Sequence, residues 1–190
     1  MPDPSLPSLL TTARLRLRPW VPEDRPAYEK TVGQCLDHLS RWLPWARVPI
    51  ENQWDSLEEF QRRPESAHDL LYALFDTGET ELLGGVGVHH RGNAEEREIG
   101  YWLHSGAVNR GYMTEAVLAM TTAVFAALPV TAVTIVCDPL NERSAAVPKR
   151  IGYALAGIFP VSVPNPDRTE NMIWRTTREA WRRLHTGIVV

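Results

Sequence analysis

Ile99-Gly100-Tyr101-Trp102-Leu103, then Val108-Asn109-Arg110-Gly111-Tyr112-Met113, then Thr114-Glu115-Ala116 reads as a strand, a glycine-bearing turn and the first residues of a helix. At such a junction the first amides of the helix lack intrahelical acceptors and converge beside the positive end of the helix dipole, so the turn can cradle an anion such as a pyrophosphate. The same layout also suits a plain strand-to-helix connection in which Gly111 serves backbone geometry alone.

Working outward, Ala116, Met120, Val124 and Ala127 form one stripe of a helix that continues to Leu128 and stops at Pro129. Before the quoted stretch, residues 70–75, 81–89 and 97–103 read as three successive antiparallel strands. Asp76-Thr77-Gly78-Glu79 and Arg91-Gly92-Asn93 are the turns between them. Leu15, Leu17 and Pro19 alternate with Arg14, Arg16 and Arg18 as a half-buried first strand, and Pro22-Glu23-Asp24 starts a helix towards Leu39. The segment 42–49 is an irregular aromatic loop, after which Asp55 or Ser56 caps a second helix through Phe60. Downstream, 130–136 is a buried strand and 144–150 a brief helix that Pro148 shortens or kinks. Residues 154–162 and 171–176 return to strand, and 181–184 is a terminal helical turn. Residues 1–10, with three prolines and little pattern, are expected to be a flexible lead.

The chain has 190 residues, enough for one domain with its own core, and no internal repeat divides it. A formal charge of −3 and only short arginine stretches (14–18 and 182–183) argue against a nucleic-acid partner. Cys35 and Cys137 are too far apart for a zinc or redox motif, so no metal is expected and a reducing cytoplasm fits. With no export leader and no apolar run near eighteen residues, a membrane location is not expected.

IGYWL, the turn NRGYMTEA and, 30 residues beyond Gly111, the run N-x-x-S followed by RIGY resemble consecutive signatures of the GNAT superfamily N-acetyltransferases. The opening T-x-R-L-x-L-R-P-W from Thr12 to Trp20 resembles the RimJ/RimL-type branch, and the likeness covers about residues 10–178. It implies an α+β fold, an α/β/α sandwich whose mixed, mostly antiparallel sheet is splayed between its fourth and fifth strands. It also implies acetyl-CoA as cosubstrate in the gap, with the pyrophosphate on Arg110, Gly111, Tyr112, Met113 and Thr114. Val108 and Met113 depart from the usual Q/R-x-x-G-x-G/A turn. Because phosphate contacts come mainly from backbone amides, Met113 is expected to cost only room beside the cofactor. Family members are often dimers, so a homodimer is an expectation of the same kind.

Acyl transfer from a thioester to an amine needs a base, an oxyanion donor and a proton for the leaving thiolate. Glu98 matches by position the strand-four glutamate that acts as base in some branches; it also reads as a solvated strand-edge carboxylate. His89 and His90 are rival bases, of which alternation lets one face the cleft. The tyrosine acid of many members falls at Pro148, which excludes it, whereas Asn141 and Ser144 have the RimJ/RimL-type spacing. Ser144 is then the proton donor beside the cofactor sulfur, or Asn141 or Ser144 simply caps the short helix. The resemblance places the oxyanion donor at a backbone N–H of Trp102 or Leu103. It also suggests that Trp42 and Trp45, with His89 and Tyr101, line the acceptor site, unless the indoles form a peripheral core cluster.

An α-amine of ordinary pKa about 7.7–8.0 is roughly a tenth neutral at pH 7, whereas a lysine of about 10.4 is well under a thousandth neutral. A site with an ambiguous base therefore points to an α-amine acceptor, on a protein N-terminus or an aminoacyl compound. The reading from another class is a degenerate acyl-CoA-binding sensor or docking module, suggested by Val108, Met113 and Pro148.

Overall fold

A computed structural model describes residues 6–62, 69–165 and 168–186. Eight strands, β1 (Leu10–Thr11), β2 (Leu15–Pro19), β3 (Leu70–Asp76), β4 (Leu82–His89), β5 (Glu96–Leu103), β6 (Ala132–Cys137), β7 (Ala154–Asn165) and β8 (Arg168–Thr177), form one sheet in the order β1-β2-β3-β4-β5-β6-β8-β7. All neighbours run antiparallel except β5 and β6, so the sheet is mixed and mostly antiparallel. The parallel pair needs a crossover, which α4 (Tyr112–Ala127) supplies. Ladder pairing between β5 and β6 covers only Glu96, Arg97 and Glu98 against Ala132, Val133 and Thr134. Beyond Glu98 the strands part: Ile99 to Leu103 pair with β4 alone and Ile135 to Cys137 with β8 alone. The expected splay is present, between the strands that the sequence reading counts fourth and fifth, because the two-residue β1 adds one to the numbering.

Both faces of the sheet are covered, which is why β4 (LLGGVGVH) is buried over all but its last residue. On one face Tyr72, Leu74, Val86, Val88 and Ile99 pack with Met113, Ala116, Val117 and Met120 of α4, with Val147 of α5 (Glu142–Arg150) and with Ile151, which follows α5. On the other, Ala73, Phe75 and Leu82 pack under α1 (Arg25–Gly33), α2 (Leu36–Leu39) and α3 (Ile50–Arg62). Trp20, Tyr28 and Trp54 meet edge to face there, with ring centroids 5.5 to 6.0 Å apart. A final helix, α6 (Arg178–Leu184), is longer than the single turn expected, and Thr177 caps it by accepting from the Ala180 N–H.

Three local expectations are corrected. The helix from Pro22 towards Leu39 is interrupted at Cys35, whose φ of −134° is not helical, giving α1 and α2. Neither Asp55 nor Ser56 caps α3, which begins at Ile50: Asp55 pairs with Arg25 (2.9 Å) and Ser56 Oγ donates back to Asn52 O (2.8 Å) inside the helix. The supposed lead is anchored from Leu6 onward, because Leu6 and Leu10 are buried, Leu10 pairs with Leu17, and Tyr72 Oη donates to Pro7 O. Residues 1–5 lie outside the described residues. Among the described residues, no helix is long and apolar enough to cross a membrane.

Candidate active site

The parting of β5 from β6 leaves one edge of β5 without a ladder partner. Arg97 turns its carbonyl towards β6, accepting from Thr134 Oγ1 at 3.4 Å, whereas His104 turns its N–H towards β4, donating to Leu83 O at 2.8 Å. Alternation along the strand therefore aims the N–H groups of Ile99, Tyr101 and Leu103 into the opening. Leu103 is thus the strand-end donor at the opening. The backbone of Trp102 is turned the other way, so close to β4 that a Cβ on Gly84 would lie 2.2 Å from the Trp102 carbonyl oxygen.

The turn before α4 lies at the end of this edge. Asn109 and Gly111 both have positive φ, 62° and 79°, and curl the chain so that Gly111 becomes the N-cap of α4. The first amide used within the helix is that of Glu115, which donates to Gly111 O at 3.0 Å, leaving the N–H groups of Tyr112, Met113 and Thr114 for an anion. Glu115, whose charge would oppose an anion there, is held by Thr12 Oγ1 (2.6 Å) and by the Arg14 guanidinium (2.6 and 2.7 Å). Arg14 also donates to Arg110 O at 2.9 Å and lies 4.7 Å over the Tyr112 ring. The turn fits a pyrophosphate. Met113 takes no room beside it: its side chain is buried in the α4 core, and it offers the turn its amide alone.

Across the opening stands α5. Asn141 is its N-cap, its side chain accepting from the Ser144 N–H at 3.1 Å, so the Ser144 hydroxyl is released from capping. Pro148 sits inside the helix and has no N–H to give Ser144 O, its i−4 partner. Tyr101 Oη, from the opposite arm, donates to that carbonyl at 2.9 Å and accepts from Ser144 Oγ at 3.2 Å. Burial pushes the Tyr101 phenol well above the ordinary tyrosine value, which keeps it a donor. Burial likewise pushes the Cys137 thiol up, beside the Ser144 and Trp174 side chains. Tyr101, expected at the acceptor, therefore points onto the α5 side, because alternation sets it opposite Trp102.

On the face away from α4, Glu98, Gly100 and Trp102 of β5 lie opposite His89, Gly87 and Gly85 of β4. Trp45 and Tyr28 stand edge-on to the Trp102 indole, with centroids at 5.9 and 6.2 Å, and Trp42 is half-buried in the same loop. Glu98 accepts from Arg91 Nε at 3.3 Å. His89 Nδ1 lies 3.0 Å from Asp69 Oδ2, and the His90 N–H donates to Asp69 Oδ1 at 2.6 Å. Sequence reading missed Asp69, Arg14 and the link from Tyr101 to Ser144, whose partners are 20, 101 and 43 residues distant. Only the proline at 148, four residues after Ser144, signals that a carbonyl there needs an outside donor.

Fold and site together define an N-acetyltransferase. The chain belongs to the GNAT family: the model of the Acetyltransferase (GNAT) domain matches residues 14–154. The curated protein "Putative ribosomal N-acetyltransferase YdaF" of Bacillus subtilis (strain 168) is 27% identical over 140 residues, 72% of this chain and 75% of its own. Among solved structures, RimL, a ribosomal L7/L12 alpha-N-protein acetyltransferase in complex with coenzyme A, superposes with a TM-score of 0.78 at 20% identity over 92% of this chain and 98% of that one. Mycobacterium smegmatis RimJ in complex with CoA-disulfide gives 0.76 at 22% over 95% and 93%. At these identities the structural likeness speaks for the fold.

Proposed function

We propose that this acetyltransferase moves an acetyl group from acetyl-CoA to a primary α-amine, on a protein N-terminus or an aminoacyl compound, by direct attack within a ternary complex. The observation that carries the reading is the pairing of opposed groups at the opening of the sheet. The Leu103 N–H enters from one arm, and the Ser144 hydroxyl, freed by Asn141 and oriented by Tyr101, stands on the other.

Acetyl-CoA supplies the activated acyl thioester. The amides of residues 110–114 hold the pyrophosphate, the N–H of Leu103 meets charge developing on the carbonyl oxygen, and Ser144 hands a proton to the departing sulfur, with Tyr101 holding that hydroxyl in place. Asn141 fixes the start of α5 against the cofactor. The acceptor lies on the face away from α4, walled by Trp102, Trp45 and Trp42, where Glu98 and His89 are the cross-strand pair from which the base is drawn. The names of YdaF and RimL, both tied to ribosomal proteins, support a protein N-terminus as acceptor.

The test is mass spectrometry of a reaction containing acetyl-CoA and a mixture of α-amino peptides, lysine peptides, polyamines and aminoacyl nucleotides. An acetyl mass shift confined to α-amines is expected. Preferential modification of lysine side chains contradicts the acceptor class, and thiol release with no amine modified contradicts the transfer.

A further inference from the structure

We propose that Asp69 and His89 form a carboxylate–imidazole pair that removes the proton from the acceptor amine, with His89 Nε2 as the accepting atom and Asp69 as the positioning residue. The inference rests on the transfer reaction proposed above and names the base that it leaves open.

Asp69 lies just before β3, and its two carboxylate oxygens are both engaged: Oδ2 with His89 Nδ1 at 3.0 Å, and Oδ1 with the His90 N–H at 2.6 Å. The carboxylate is 6% exposed and the imidazole 14%. A carboxylate fixed on Nδ1 keeps the ring proton there, which leaves Nε2 bare and able to accept a proton. The ring is also held from α3, by an edge contact with Phe60 at 6.3 Å.

The direction of Nε2 decides the matter. A Cβ placed on Gly87 would come within 2.5 Å of His89 Nε2, and one on Gly100 within 3.5 Å, so the ring nitrogen leans along the sheet over two glycines. One step further on the same face, a Cβ on Gly85 would meet Trp102 Nε1 at 2.6 Å. Alternate residues of a strand are about 7 Å apart. The imidazole and the indole therefore lie on the same face over Gly87 and Gly85, with Leu71 packed beside the imidazole, in a row that leads to the end of β5 where Leu103 turns its N–H into the opening. An amine entering between the two rings from this face would meet the imidazole on one side and the Leu103 end of the opening on the other.

Glu98, the cross-strand neighbour of His89, is the competing base, but its carboxylate is bound by Arg91 at 3.3 Å, and imidazole as a class titrates nearer neutrality than a carboxylate. In the transfer, a nitrogen–carbon bond forms between the amine and the acyl carbon, and the carbon–sulfur bond breaks. The amine proton goes to His89 Nε2, and the thiolate takes a proton from the Ser144 hydroxyl, which is replenished from water.

Charged and titratable groups beside the imidazole include Asp69 on its Nδ1, Glu98 across the ladder, Arg91 on Glu98 and the neighbouring His90, whose N–H Asp69 holds. Phe60 of α3 and Leu71 of β3 present apolar surfaces. The expected result for His89→Gln is a kcat lower by about 10²- to 10³-fold, loss of the acidic limb of the kcat–pH profile, and an unchanged Kd for acetyl-CoA, which also shows that the variant is folded. Asp69→Asn removes the negative partner, so the imidazolium is less favoured and the limb moves to lower pH, with kcat reduced about tenfold; Asp69→Glu moves it back. Retention of the limb and of kcat within about threefold in His89→Gln, or loss of the limb in Glu98→Gln instead, overturns the assignment. If the unaltered protein acetylates no amine, the transfer reading fails on its own, and nitrogen NMR of His89 still decides the pair: protonation on Nδ1 in the neutral ring supports it, and protonation on Nε2 overturns it.

Discussion

Pro148 shows how one residue sets the chemistry of another. Without its N–H, the carbonyl of Ser144 is left to Tyr101, and the same phenol accepts the Ser144 hydroxyl, so a proline inside α5 fixes a contact across the opening. Ser144→Ala is expected to lower kcat by about 10²-fold with little change in the KM for acetyl-CoA, read by steady-state kinetics; an unaltered kcat reduces Ser144 to a structural contact. Gly84→Ala forces a Cβ against the Trp102 carbonyl and shifts the backbone that carries the Leu103 N–H. A cost of about 1–3 kcal/mol, several degrees in Tm, should accompany a fall in kcat, checked by thermal melting and kinetics on the same preparation. Asn141 and Ser144 were marked by the resemblance, at the spacing that RimJ/RimL-type enzymes have there. Which of them caps the helix was not, because both side chains can do so and only the bond from the Ser144 N–H to Asn141 Oδ1 separates them. The same holds at Trp102 and Leu103: the motif marks the strand end, but the direction of each N–H follows from the ladder with β4.

The elements explain why the opening strand has the pattern it has. Thr12 and Arg14, in the link between β1 and β2, reach α4 and grip Glu115, and the guanidinium also takes the Arg110 carbonyl, so this link braces the turn on which the anion is to rest. Burial raises the Glu115 carboxyl, but the hydrogen bonds from Thr12 and Arg14 outweigh it and hold the group below the ordinary glutamate range. A depressed carboxyl stabilises the folded state above its unfolded value and loses that contribution as pH falls through the folded one. The melting temperature of the unaltered protein should therefore exceed that of Glu115→Gln at pH 7, and the gap should close on acidification towards pH 3; a gap that is constant with pH contradicts the brace. At the other end of the same turn, a side chain on Gly111 must adopt a φ of 79°, at about 1–2 kcal/mol. Strands and the long helix were legible because their apolar periods are unambiguous. The start of α3 was misread because Asp55 and Ser56 look like caps, yet one bonds to α1 and the other back into its own helix.

At the scale of the molecule, function comes from a fault in the sheet: one parallel pair held for three residues and then open. The order of motifs gave away this architecture through resemblance, since no local pattern in β5 or β6 announces that the strands part. The anchoring of Leu6 and Leu10 was hidden by their prolines, and Asp69 by its distance from the histidine it holds. If the site selects for amines already neutral at pH 7, kcat/KM for an α-amino peptide should exceed that for an N-terminally blocked lysine peptide by about two orders of magnitude, and equal values contradict the selection. The most direct measurement is calorimetric titration of the purified protein with CoA and acetyl-CoA, repeated with Gly111→Ala. One site per chain is expected, with an affinity about tenfold weaker in the variant; no heat of binding at millimolar CoA in the unaltered protein contradicts a CoA site at this turn.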